Sequence, residues 1–72
     1  MPQLRDDLLL DKIAAKIKKL REQQHVTLEQ FYLDTNVNIS RIESSKANIS
    51  VSTLNAICKY FGITLQEFFK GL

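Results

Sequence analysis

Leu10, Ile13, Ile17 and Leu20 recur at spacings of three and four, and the rhythm returns in Leu54, Ile57, Cys58 and Phe61. That spacing stacks side chains on one face of a helix, whereas a half-buried strand alternates every second residue. No convincing alternating run occurs anywhere in the chain. The sequence therefore predicts an all-α fold, in which helical stripes bury one another.

Start and stop signals divide it into five helices, over residues 7–24, 28–33, 36–45, 51–61 and 65–71. Asp7 and Asp11 sit near the positive end of the first helix, with Ala14 beside its stripe. Residues 1–9 are an N-terminal extension or the start of that helix. His25-Val26 is a short link. Thr27 caps the second helix, with Gln30 three residues on in a capping-box pattern, and Leu28, Phe31 and Tyr32 supply its apolar contacts. Asp34-Thr35 ends it, and either residue can cap the third helix. Ser50 caps the fourth, and Gly62 supplies its left-handed stop. Thr64 with Glu67 forms a second capping box, opening a last helix with Leu65, Phe68 and Phe69. No internal repeat, linker or low-complexity segment interrupts the series, so residues 1–72 are expected to form one domain.

Seventy-two residues lie near the lower limit for folding without staples, and a second copy or a bound partner would add stability. With 44% hydrophobic and 25% charged residues, the chain is not a disordered tail. Cys58 is the only cysteine, which excludes an intrachain disulfide and suits a reducing cytosol. No apolar run reaches the ~18 residues of a membrane span. The start Met1-Pro2-Gln3-Leu4-Arg5-Asp6-Asp7 has the wrong pattern for a signal peptide. His25 has no second ligand at metal spacing, so no metal site is expected, and Cys58 falls on an inward stripe as a small hydrophobe. There is no Gly-rich phosphate loop, no nucleophile with an obvious base and no paired carboxylates, so neither an enzyme nor a cofactor is expected. The net charge of +2 is mild, but Lys12, Lys16, Lys18, Lys19 and Arg21 fall in one stretch without an acid. These lysines are read as a solvated face, and such local basic patches permit nucleic-acid binding without demonstrating it.

The most informative segment is Asn36-Val37-Asn38-Ile39-Ser40-Arg41-Ile42-Glu43. At roughly 100° per residue, Ile39 and Ile42 fall on one side of a helix. Val37, Ser40, Arg41 and Ser44 fall on the other, with Asn38 at the edge. That second face is narrow, small-residued and carries one guanidinium, which suits insertion into a groove.

Ile17-Lys18-Lys19-Leu20-Arg21-Glu22, Val26-Thr27, Ile39-Ser40-Arg41-Ile42-Glu43, Lys46-Ala47-Asn48-Ile49-Ser50, Leu54, Ile57-Cys58-Lys59-Tyr60-Phe61-Gly62-Ile63 and Leu65-Gln66-Glu67-Phe68-Phe69 follow one another in order. Over roughly residues 12–70 the chain resembles the Cro and phage-repressor helix-turn-helix regulators, the xenobiotic-response-element family. Two features depart from that pattern. Leu28 stands where the family usually places a backbone-touching Gln. The chain also looks shorter between Phe31 and Thr35 by roughly three residues, close to one helical turn.

The resemblance implies a compact five-helix domain of the lambda-repressor type, whose third helix lies in the major groove while the second crosses the backbone. Asn36, Val37, Ser40 and Arg41 then become base-reading candidates: Arg41 for guanine, Asn36 for adenine, Val37 for a thymine methyl. Thr27, Thr35, Ser44, Ser45, Lys46 and Asn48 become phosphate candidates, Lys46 foremost. Arg21 and Glu43 become a structural ion pair between the first and third helices. The implied function is sequence-specific binding of double-stranded DNA by a repressor or autoregulatory controller, bacterial or phage, in the cytoplasm and at the nucleoid of a prokaryotic cell. A homodimer on a two-fold related operator would place two reading helices about 34–36 Å apart. Phe68, Phe69 and Leu72 at one end, or Leu8 and Leu9 at the other, are the dimer candidates. No small-molecule effector is expected. The alternative is an antitoxin-like or protein-interaction module that uses the same fold with a protein as its main partner.

Overall fold

A computed structural model describes residues 6–44 and 48–72. Among these residues the chain is helical throughout, without a strand: α1 Asp7–Gln23, α2 Leu28–Thr35, α3 Ile39–Glu43, α4 Val51–Phe61 and α5 Leu65–Phe69. The structure is all-α with five helices, as the stripe spacing predicts.

Four of the five starts, those of α1, α2, α4 and α5, are fixed by a side chain that accepts a hydrogen bond from an otherwise unpaired N–H of the first turn, whereas Asn38 ahead of α3 makes no such bond. Asp6 caps α1, its Oδ1 accepting from the Leu9 N–H at 3.0 Å. Thr27 Oγ accepts from Gln30 N–H at 3.0 Å and Ser50 Oγ from Thr53 N–H at 3.1 Å. At α5 both halves of the box form, Glu67 N–H to Thr64 Oγ and Thr64 N–H to Glu67 Oε1, each at 3.0 Å. The box expected at Thr27 is only half present, because the Gln30 amide donates instead to Asp34 Oδ1 at 2.8 Å. Gly62, at φ 77°, ends α4 in the left-handed conformation.

Ile13 and Ile17 of α1, Phe31 of α2, Ile39 and Ile42 of α3, Leu54, Ile57, Cys58 and Phe61 of α4, and Phe68 of α5 bury together as one core. Helix α3 packs on α1 and α2, and α5 on α4. Phe31 is the only buried residue of α2, stacked 5.6 Å from the Phe61 ring and edge-on to Tyr60 at 4.8 Å. Leu28 and Tyr32, expected to share that contact, remain exposed.

The bounds of α2 and α3 correct the sequence reading, and α5 ends at Phe69 rather than at residue 71. Helix α2 runs unbroken through Thr35, so neither Asp34 nor Thr35 caps α3. Asn36 closes α2 instead, in the left-handed region at φ 60°, its N–H donating to the Tyr32 carbonyl. Helix α3 then begins at Ile39 rather than Asn36 and ends at Glu43. Asn tolerates a positive φ better than other side chains with a Cβ, and a chain reversed by it needs two further residues before helical geometry resumes.

Candidate nucleic-acid interface

Helix α3 is held from below and from one side. Ile39 and Ile42 seal its inner face. The Arg21 guanidinium, projecting from the last turn of α1, donates from Nε to Glu43 Oε2 at 2.8 Å and from Nη2 to Glu43 Oε1 at 3.2 Å. Its third nitrogen, Nη1, donates to the Val26 carbonyl at 3.0 Å. One planar fork therefore joins α1, the corner before α2, and the end of α3. The hydrogen bond to Glu43 raises the Arg21 pKa, so the cation is permanent.

This clamp turns Ser40 and Arg41 outward, and both are exposed. Ser40 Oγ–H donates to Asn38 Oδ1, joining the first residue of the outward face to the residue that precedes the helix. Asn36 and Val37, expected in the first turn of the third helix, lie in the bend between α2 and α3. Val37 is half-buried and packed against the core, which takes it off the reading face.

The phosphate candidates divide. Thr27 is exposed at the start of α2. Thr35 is half-buried and already engaged, its Oγ–H donating to the Phe31 carbonyl at 2.8 Å while its Oγ accepts from Val37 N–H at 3.2 Å. It is the last residue of α2, and its hydroxyl ties that helix end to the bend that follows. Ser44 is exposed, with its hydroxyl donating to the Arg41 carbonyl at 2.9 Å. Ser45 and Lys46 lie outside the described residues. Asn48 is exposed and borders a groove shared with Leu9, Leu10, Val51 and Phe69.

That groove brings the two sets of dimer candidates together. Leu9 of α1 and Phe69 of α5 are 40% and 42% exposed and line the same depression. Val51, which opens α4 and lines the same groove, and Leu8, next to Leu9 on α1, are also exposed. Phe68 must be withdrawn as a dimer contact. It is fully buried in the core, because the capping box at Thr64 fixes α5 with Phe68 inward and Phe69 outward. Leu72 is half-buried against the same core.

The remaining candidate chemistry is quiet. Lys12, Lys18 and Lys19 are exposed on α1, while Lys16 lies over the Phe68 ring, 5.6 Å from its centre, and donates to the Lys70 carbonyl. Cys58 is buried, and burial pushes its thiol pKa up against the opposing pull of Lys16, so the reactive thiolate is disfavoured. Among the described residues no group of three or more His, Cys, Asp or Glu is placed to hold a metal ion, and no helix is long and apolar enough to cross a membrane. Sequence reasoning missed the pair Leu28 and Tyr32, which stand exposed beside the start of α3. The signal was present in Leu28, an apolar residue where the family usually has an amide.

Helix α3, clamped by Arg21, follows α2 across a short bend, and a helix-turn-helix family model matches residues 17–68. The chain belongs to the Cro and repressor-type helix-turn-helix family. It is accordingly a DNA-binding transcription regulator in the general sense of that family. No curated protein and no solved structure matches the chain.

Proposed function

We propose that this helix-turn-helix protein binds double-stranded DNA in a sequence-specific way, as a homodimer on a two-fold related operator, and acts as a repressor or autoregulatory controller. The observation that carries this is the disposition of α3, with Ile39 and Ile42 sealed inside, Glu43 clamped by Arg21, and Ser40 and Arg41 left facing out. Arg41 supplies the fork that pairs with guanine O6 and N7. Thr27, Ser44 and Lys46 supply phosphate contacts that fix the register. One reading helix this short covers too few base pairs for useful specificity, so two copies are required. The joint exposure of Leu9 and Phe69 on one groove supports that end of the molecule as the surface where the copies meet. The protein works without catalysis or a small-molecule effector, at the nucleoid of a prokaryotic cell, and its own concentration sets its occupancy.

The same apolar end favours a second reading, a module whose main partner is another protein. A salt titration separates the two. For the regulator, the logarithm of the affinity for DNA falls linearly with the logarithm of salt, in proportion to the phosphates neutralised. Arg41→Ala loses discrimination at one base pair by about 1–3 kcal/mol, while Lys46→Ala weakens all sequences alike. If neither substitution changes DNA affinity, the regulator reading fails.

A further inference from the structure

An open cleft between α2 and α3 is lined by Leu28, Glu29, Tyr32, Asn38, Ile39 and Ser40. Leu28 and Tyr32, on the first two turns of α2, are 40% and 49% exposed along it. Its walls are mostly apolar, and its polar groups do not invite an anion. Asn38 and Ser40 hydrogen-bond each other, and the one charged group, Glu29, repels phosphate. The cleft runs directly onto Ser40, and so onto the outward face of α3.

In a bihelical unit the first helix meets the DNA backbone and the second meets base edges, so the space between them faces the wall of the major groove. The apolar group available on that wall is the C5-methyl of a pyrimidine, which lies beside its own strand's backbone. We propose that this cleft receives the C5-methyl group of an operator thymine, with Leu28 and Tyr32 as the specificity-determining contacts. The proposal rests on the DNA-binding reading above. It moves methyl recognition from Val37, which packs against the core, to the helix before the bend.

The test uses the full chain and an operator chosen from a random DNA pool, with each thymine replaced in turn by deoxyuridine, which removes only the methyl. Binding is followed by fluorescence anisotropy. At one thymine in each half-site, deoxyuridine weakens binding about three- to fivefold, the worth of one buried methyl-sized group. Leu28→Ala, and separately Tyr32→Ala, bring thymine and deoxyuridine at that position closer to equal affinity, while melting followed by circular dichroism shows both variants folded. The proposal is overturned if no thymine position responds, or if the response is unchanged in both variants. It is equally overturned if a methyl effect appears only when cytosines are replaced by 5-methylcytosine. A pool that yields no preferred sequence overturns the DNA-binding reading and the cleft together, whereas a preferred sequence without a methyl effect overturns the cleft alone.

Discussion

Arg21 and Glu43 meet through two parallel hydrogen bonds across 22 positions of chain, with their side chains only 14% and 10% exposed. A pair so shielded is weakly screened, and loss of one partner strands the other's charge. Arg21→Ala is expected to cost about 2–4 kcal/mol, and Glu43→Ala somewhat less, because Arg21 also serves the Val26 carbonyl. A double-mutant cycle by urea denaturation should return a coupling of about 1–3 kcal/mol. Additive losses would show that the fork holds nothing in place.

Asn36 sits at φ 60°, where a Cβ is tolerated poorly and a branched one worse. Asn36→Gly should leave the melting temperature nearly unchanged. Asn36→Val should lower stability by about 1–2 kcal/mol, since it forces the same bend on a β-branched residue. Thermal melts of the two variants, compared with the parent, decide this.

The two adjacent phenylalanines of α5 should behave in opposite ways. Phe68→Ala empties a fully buried site and should cost about 3–5 kcal/mol, enough to leave much of so small a protein unfolded. Phe69→Ala, at a half-exposed site, should fold normally. Under the homodimer proposal it shifts sedimentation at micromolar concentration from dimer towards monomer, as Leu9→Ala does. A dimer indifferent to both substitutions places the interface elsewhere.

Tyr60 donates its hydroxyl to Asp34 Oδ2 at 2.6 Å, and that hydrogen bond, helped by burial and the carboxylate's charge, raises the phenol's pKa above 10. The folded value exceeds the unfolded one, so this contribution to stability is fully present below about pH 10 and is lost as pH rises through the folded value. An absorbance titration at alkaline pH should resolve one phenol that ionises late, and Tyr60→Phe should remove it. If the late-ionising phenol persists in Tyr60→Phe, or none appears in the parent chain, the bond to Asp34 is not maintained.

The stripes of α1 and α4 were legible because their apolar residues repeat over several turns, and Gly62 and Thr64 punctuate them without ambiguity. The bend between α2 and α3 was not. Asp34, Thr35, Asn36 and Asn38 are all competent caps, and only packing decides which one starts a helix. Asn36 took the left-handed position that a glycine would have announced. The inward role of Phe68 against the outward role of Phe69 follows from the phase set by Thr64, which spacing alone does not fix for a helix of one and a half turns. Ser40 and Arg41 were placed outward by the same periodicity that put Ile39 and Ile42 inside, since that relation needs only four consecutive residues.

The proposed DNA-facing helix is five residues long, and a helix under about 12–15 residues is marginal by itself in water. Its order comes from Ile39, Ile42 and the guanidinium of another helix, so it has no separate existence when those contacts loosen. Grip on DNA and integrity of the fold would then vanish over one shared temperature interval. A regulator built this way would release its operator on warming without any sensor.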